Sequence, residues 1–569
     1  MRGRAGVRGR RGLRVATGAA VIVSLVAAGA AAGVLLASPR VPPASGPAVT
    51  EPLARAPLRG PLLAAGGPDI TDRWGRVVYL HGVNAVYKLP PYVLSADPGQ
   101  PWNLDGEDAA RIASLGFDVV RLGIVWQGIE PGTLGPNDPR ICTPGAPRDP
   151  MQWNQAAADG YLDRVAATVA TLGAHHIYTL LDMHQDVYSS AFGGEGAPPW
   201  AVCTGGAPIG RLPGRWSNTY ADPGLNAAVG HFWTNDVVGD LQGEYLRAWQ
   251  AVAERFRSDP WVVGYDPMNE PFTRAVVVTD PFTGPSTDFD PEVAQDLECL
   301  YTGAAHPGRS EADGSVLQCP PQDPAIGLIP TLEETDPTHP VFFEPDIFTS
   351  RGRPNDVGPM DLPNLVFNFH DYCGYRSPVT GDPTDLVACA RQEMQTMRLR
   401  VRERAGISSA AQPAGPPLFM SEFGATTSEP LLALLTADAD RIGIGWIYWA
   451  WKYYDDPTGS SNEALVLPSG AFSPGVRALA RTYPMAVAGS PSSISFDPDS
   501  GAFELVYTPN PAARAPTLVF VPVSVHYPHG YCAAASGGTI LSAKGATDLV
   551  VRNDPAAATV VVTVRAGAC

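Results

Sequence analysis

Two glutamates give the first chemical signal in this 569-residue sequence: Glu270 within Asn269-Glu270-Pro271, and Glu422 within Ser421-Glu422-Phe423-Gly424. Both close a short apolar run. Acids held as a pair across a sugar-sized gap hydrolyse glycosidic bonds: one carboxyl protonates the departing oxygen, and the other attacks the anomeric carbon or activates water. An aromatic floor for the sugar's apolar face is the usual companion, and Trp449 stands where it could supply one. Either short motif recurs by chance in a chain of this size. The signal lies in the joint register, because polar residues end one apolar run after another. In order they are Asn84 and Lys88, Arg121, Asp182 with His184 and Asp186, Asn269-Glu270, Glu344, His370 with Tyr372, Glu422, and Trp446, Trp449 and Trp451. The plain alternative makes Glu270 and Glu422 solvated acids at strand ends.

The runs that would position these residues are 77–87, 119–126, 177–184, 262–270, 340–345, 364–372, 418–424 and 443–450. Each is near-continuously apolar and rich in β-branched and aromatic residues, as parallel strands buried on both faces require. Helical periodicity fills the gaps at 107–115, 161–176, 240–257, 325–335, 386–405 and 429–441; within 161–176, Leu162, Val165, Val169 and Leu172 share a face. The alternation over residues 66–485 predicts an α/β fold, a (β/α)8 TIM barrel, whose chemistry sits at the carboxyl ends of its strands. A doubly wound sheet competes, but it would ordinarily place a Gly-rich phosphate turn after strand one, where this chain has Gly82-Val83-Asn84. From 486 to 569, short polar–apolar alternations between Pro, Gly and Asn show no evident helix and predict a small C-terminal antiparallel β-sandwich.

Asp and Glu total 57 against 40 Lys and Arg, and the net charge of −17 excludes nucleic acid as a natural partner, since no basic patch follows the N-terminus. Arg2, Arg4, Arg8, Arg10, Arg11 and Arg14 precede an uncharged apolar run from Val15 to Ala37. Residues 1–38 therefore read as a signal peptide or an uncleaved membrane anchor, and both leave the remainder outside the cytoplasm, secreted or anchored. Residues 39–65, rich in Pro, Ala and Arg, read as a linker. Eight cysteines, all beyond residue 140, suit disulfides in an exported chain. Pairing in sequence order gives Cys142–Cys203, Cys299–Cys319, Cys373–Cys389 and Cys532–Cys569, one of many connectivities that eight cysteines allow. No metal or cofactor is expected, because no cysteine pair stands at ligand spacing and no HExxH or EF-hand pattern occurs.

The ordered set Arg121, His184, Asn269-Glu270-Pro271, His370/Tyr372, Glu422 and Trp449 resembles glycoside hydrolase family five, over roughly residues 66–485. More narrowly, Gly82-Val83-Asn84-Ala85-Val86-Tyr87-Lys88, Leu181-Asp182-Met183-His184-Gln185-Asp186-Val187-Tyr188 and the trailing sandwich resemble the endoglycoceramidases. Those enzymes cut the linkage between an intact oligosaccharide and ceramide. The resemblance implies a retaining mechanism with Glu270 as general acid/base and Glu422 as nucleophile. It implies that Asn269 holds the sugar 2-hydroxyl, that Tyr372 orients Glu422, and that Arg121 lies beneath that carboxylate and favours its charged form. His184 and His370 would line the sugar site nearest the scissile bond, with Asp182, Lys88 and Trp449 fixing hydroxyls or stacking. Glu270 should rest protonated and Glu422 ionised.

Other residues divide between chemistry and structure. Glu344 in Phe342-Phe343-Glu344-Pro345 splits evenly between facing the mouth and a buried ion pair with an arginine, while Asp186 reads as a cap for the segment after it. The loop Leu89-Pro90-Pro91-Tyr92-Val93-Leu94, with Phe192, Trp200, Phe232, Trp233 and Phe272, offers an apolar rim suited to ceramide and to a membrane surface. Loops packing against one another are an equal alternative. The sequence thus predicts an exported, monomeric retaining β-glycosidase acting on a glycolipid. A β-glucanase or β-glucosidase for soluble β-glycans or other glycolipids is the alternative on the same barrel. A non-catalytic carbohydrate-binding protein is remote, because both acids are present.

Overall fold

The computed structural model describes residues 67–144, 153–273, 291–303, 319, 327–377, 382–567 and 569. The segments expected to be the export signal or anchor and the linker, 1–38 and 39–65, lie outside the described residues. The first apolar run, expected to be a single barrel strand over 77–87, is divided: β1 (Val77–Val78) joins an antiparallel sheet, and β2 (His81–Ala85) opens the barrel. The barrel continues through β3 (Val119–Ile124), β4 (Tyr178–Met183), β5 (Val262–Asp266), β6 (Val341–Phe343), β7 (Leu365–Asp371), β8 (Leu418–Gly424) and β9 (Gly445–Trp449), and β9 pairs back with β2. Every residue of these eight strands is buried except Trp449, which is half-buried. That burial on both faces is why the runs are continuously apolar rather than alternating. Gly82 permits the closure: a Cβ there would meet the Val119 carbonyl oxygen at 1.9 Å.

Along each strand, side chains alternate between the helical ring and the barrel interior. Val120, Leu122 and Leu181 join the outer core with Leu162, Val165, Val169 and Leu172 of the helix Gln155–Ala174, whose first turn is capped by Asn154. Toward the amino ends, Val119, Leu180, Phe342, Val366, Phe419 and Ile447 form an apolar plug in the interior. The next interior positions along several of these strands are occupied by Arg121, Asp182, Glu344 and Asn368.

The C-terminal strands are β10 (Tyr483–Val487), β11 (Gly489–Asp497), β12 (Ala502–Pro509), β13 (Thr517–Phe520), β14 (Tyr531–Ser536), β15 (Gly538–Ile540), β16 (Asp548–Asn553) and β17 (Val560–Ala566). They form two antiparallel sheets, ordered β1-β10-β13-β16-β15 and β11-β12-β17-β14. Val77, Leu505, Val519, Val551 and Val562 lie in the core between them. Ala486, Leu518 and Val550, from the five-stranded sheet, pack on the barrel's apolar plug, so the sandwich seals the end opposite the carboxyl ends of the barrel strands. A short helix, Val523–His526, interrupts this otherwise all-β region, where the sequence showed none.

Disulfides join Cys142 to Cys203, Cys299 to Cys319, Cys373 to Cys389 and Cys532 to Cys569. Four disulfides are the pattern of an oxidising, extracytoplasmic compartment. Among the described residues no helix is long and apolar enough to cross a membrane.

Candidate active site

The alternation of strand side chains carries one arginine into the middle of the barrel, and the site is built around it. Arg121, on β3, is wholly buried. Its Nε donates to Asp266 at 2.9 Å, Nη1 to Glu422 Oε1 at 2.6 Å and to Asn84 at 3.2 Å, and Nη2 to Glu344 at 2.9 Å and Asn269 at 3.0 Å. Nη2 also lies 3.0 Å from Asp182. One planar cation thus registers side chains from β2, β4, β5 and β8, together with Asn269 just beyond β5 and Glu344 just beyond β6; isolated buried carboxylates would not survive there without it.

Glu422 is held from both sides, by Arg121 and by the Tyr372 hydroxyl, which donates to Oε2 at 2.7 Å. Glu270 follows β5 in a left-handed backbone conformation, φ +41°. Strained non-glycine residues of this kind concentrate at functional sites. Its N–H donates to Glu344 Oε2 at 2.9 Å, so Glu344, whose other oxygen accepts from Arg121, fixes the strained turn. His370 Nδ1 lies 3.0 Å from Glu270 Oε1 and 3.5 Å from Glu422 Oε2, and its Nε2 lies 3.0 Å from Glu344. An oxygen of Glu270 and one of Glu422 fall within 4.8 Å of each other.

Burial and neighbouring charge act differently on Glu270, His370 and Glu344. Burial raises the Glu270 pKa above the ordinary glutamate value; the His370 hydrogen bond and charge pull against this, and the charges of Glu422 and Asp186 reinforce it. Burial opposes a charge on His370, yet Glu344 and Glu422 drive its pKa well above that of a free imidazole. Burial likewise opposes ionisation of Glu344, but His370 and Arg121 hold it below the usual carboxylate range. The result favours the protonated form of Glu270 and the cationic form of the histidine beside it.

Both acids open on one cavity of about 280 Å³ at the carboxyl ends of the strands. Of the residues expected at the site, Lys88, His184, Asn269, Glu270, Tyr372, Glu422 and Trp449 stand on its wall. Asp182 and His370, expected to fix a hydroxyl and to line the sugar site, are not on that wall, and Arg121 lies beneath Glu422. They are buried behind it, and Asp182 is engaged with Arg121 and with His184 Nδ1 at 2.6 Å. Asp186 does not cap a segment; it pairs with the Lys88 ammonium, and both accept or donate a hydrogen bond with Thr458 Oγ1. The Lys88 ammonium lies 4.7 Å over the Trp449 ring, which stacks with His184 at 5.5 Å. Glu344 resolves to the buried ion pair. The wall also holds Glu463, Trp216, Arg215, Arg351 and Arg376, all on loops whose sequence has no periodicity to place them.

Among the described residues, two groups bring metal-ligand atoms within 4.8 Å, His184/Asp186/Glu195 and Glu270/His370/Glu422. The Lys88 ammonium lies against the first, and in the second His370 Nδ1 is engaged with Glu270 and Glu422. Of the apolar rim expected from the loop Leu89–Leu94 with Phe192, Trp200, Phe232, Trp233 and Phe272, the five aromatics and Tyr92, Val93 and Leu94 are buried in the hydrophobic core, whereas Leu89 and Pro91 are half-buried and Pro90 is exposed. Large apolar side chains exposed among the described residues include Tyr375, between the cavity residues Gly374 and Arg376, and Ile209.

Comparison with known proteins agrees with this geometry. The family model described as cellulase (glycosyl hydrolase family 5) matches residues 96–289, and that of the glycoside hydrolase family 5 C-terminal domain matches 481–565. Endoglycoceramidase I of Rhodococcus hoagii (strain 103S) is 30% identical over 513 residues, covering 86% of each chain. The endoglycoceramidase of Hydra vulgaris is 26% identical over 495 residues, covering 81% of this chain and 80% of its own. Among solved structures, endo-glycoceramidase II from Rhodococcus sp. in its ganglioside GM3 complex superposes with a TM-score of 0.64 at 25% identity, over 88% of this chain and all of that one.

Proposed function

This chain belongs to glycoside hydrolase family 5, on its endoglycoceramidase side, and from that premise we propose that it cleaves the β-linkage between glycan and ceramide in glycosphingolipids by double displacement. The observation that carries the mechanism is the approach of Glu270 and Glu422 to within 4.8 Å on one cavity wall. Retaining enzymes hold their carboxyls about 5–5.5 Å apart, too close for an intervening water to attack from the far face.

In the first step Glu422 attacks the anomeric carbon while Glu270 gives its proton to the ceramide oxygen as that bond breaks. Glycosylation removes the Glu422 charge, one of the influences holding the Glu270 pKa up. Glu270, now a carboxylate of lowered pKa, then takes a proton from water as the water attacks and releases Glu422. Asn269, fixed by Arg121 and by its own N–H···O contact of 3.0 Å to Gln185, presents its amide to the sugar 2-hydroxyl. Lys88, Asp186 and His184 meet the remaining hydroxyls, and Trp449 supplies the stacking floor. Contact with the bilayer falls to Tyr375 and Ile209 rather than to the buried loops. The enzyme works outside the cytoplasm, secreted or tethered through residues 15–37, and acts as a monomer whose site is complete within one chain.

The test is turnover of a fluorescent glycosylceramide. Glu270→Ala is expected to lose on the order of 10²–10⁴-fold in rate. Azide with an activated aryl glycoside should restore much of that loss. Glu422→Gln should lose turnover of both substrates. Near-normal turnover in both variants refutes the assignment.

A further inference from the structure

The acid/base Glu270 reaches the buried charged layer at two points, and both lead to Glu344. Its backbone N–H donates to Glu344 Oε2 at 2.9 Å, and its side chain meets His370, whose Nε2 lies 3.0 Å from Glu344 Oε1. Glu344 is buried just beyond β6, and neither it nor His370 is on the cavity wall. Both nitrogens of the imidazole face carboxyl oxygens: Nδ1 lies 3.0 Å from Glu270 and 3.5 Å from Glu422, while Nε2 faces Glu344. A ring so placed is stabilised with a proton on each nitrogen, because both are then donors.

Glu344 supports that cation only while it stays ionised beside another acid. Asp266, the last residue of β5, is wholly buried and in hydrogen-bonding contact with Glu344, carboxyl to carboxyl. Ionised carboxylates only accept, so the contact needs a proton between them. The donors around the pair decide which side carries it. Glu344 accepts from Arg121 Nη2 at 2.9 Å and from the Glu270 N–H, and it has the imidazole besides. Asp266 Oδ2 accepts from Arg121 Nε at 2.9 Å and from Asn368 Nδ2 at 2.8 Å, but its Oδ1 meets no donor among the described residues. The poorer supply of donors leaves the proton on Asp266 and the charge on Glu344. Burial first, and then the charge of Glu344, lifts Asp266 well above the ordinary aspartate range, in accord with that division. The other ionisable groups facing the cluster are Asp182, which pairs with Arg121, and the phenols of Tyr245, Tyr301 and Tyr372, which burial keeps protonated.

We propose that Asp266 and Glu344 share one buried proton and that Glu344 is a positioning residue for the acid/base: as the anion behind His370 it keeps the ring cationic, and its other oxygen fixes the Glu270 backbone. The proposal rests on the reading of Glu270 as acid/base and deepens it. It gives the buried layer a duty in the reaction, since the cation beside Glu270 persists only while the acid behind it is ionised.

The experiment follows His370 in the intact enzyme by nitrogen-15 histidine NMR, its signal identified by its loss in His370→Asn. In the wild type both ring nitrogens should stay protonated through about pH 8, above the ordinary imidazole value of about 6.5. Glu344→Gln should bring the loss of that proton down by about two pH units. Asp266→Asn keeps a donor toward Glu344 and removes no charge from a protonated acid, so His370 should titrate there as in the wild type. In Glu344→Gln the alkaline limb of kcat/KM should move up, because the cation beside Glu270 is gone. A wild-type His370 that loses its proton with ordinary imidazoles overturns the proposal, and this titration decides alone where a variant does not fold. An unshifted His370 in Glu344→Gln overturns it too, as does an alkaline limb that moves down, which shows the ring still charged. A downward shift of His370 in Asp266→Asn overturns the shared proton. The titrations need no substrate, so an enzyme inert toward glycosylceramide refutes the substrate reading alone.

Discussion

At the scale of residues, the chemistry depends on a few charges being kept unequal. Glu270 is lifted by burial, and His370, in contact with it, is the opposing cation. Catalysis needs the protonated acid, so kcat/KM should fall as pH rises through the raised Glu270 pKa, and the alkaline limb belongs to that group. Removing the cation should let the pKa climb further. His370→Asn is thus expected to slow the enzyme while moving the alkaline limb upward by about one pH unit. A limb that stays put, or moves down, in pH–rate profiles contradicts the assignment. The acids themselves were legible in the sequence because each ends its own apolar run. Which polar neighbours stand on the cavity wall was not: Asp182 and His370 look the same as His184 in sequence, and only the folded chain separates them.

At the scale of elements, Arg121 joins side chains from four strands and from Glu344 just beyond β6, and the charged layer has no other arginine or lysine among its described contacts. Stripping the partner from a buried carboxylate leaves an uncompensated charge and typically costs about 3–5 kcal/mol. Arg121→Met should therefore destabilise the fold by about that amount in chemical denaturation, besides abolishing turnover, and an unchanged midpoint would show that the layer is not held this way. The strands were readable because burial on both faces leaves continuous apolar runs, and even three-residue β6 announces itself through Val341-Phe342-Phe343. The run 77–87 misled for the same reason: its apolar residues serve two sheets in succession, and composition does not mark where the chain passes from one to the other. Loop residues such as Glu463, Trp216 and the three wall arginines carry no period at all, so only the folded chain assembles them.

At the scale of the whole molecule, the sandwich is joined to the barrel both by pairing and by packing. β1 leaves the N-terminal side of the barrel to pair with β10, and Ala486, Leu518 and Val550 cover the apolar plug beneath the charged layer. Val519 and Val551, their neighbours in the strands, face the sandwich core instead, so one sheet serves two cores. A chain ending at Arg481 should consequently expose that plug and be recovered as aggregate without the near-ultraviolet signal of packed aromatics; a soluble, cooperatively folding barrel would contradict the sealing role. The central claim, that Glu422 carries the sugar between two displacements while Glu270 shuttles the proton, is met most directly by trapping. After brief exposure of the intact enzyme to a 2-deoxy-2-fluoro-β-glycoside with an activated leaving group, peptide mass spectrometry should find one sugar, on Glu422. A sugar bonded to Glu270 or any other residue, or turnover of an unmodified enzyme to the inverted anomer, would contradict it.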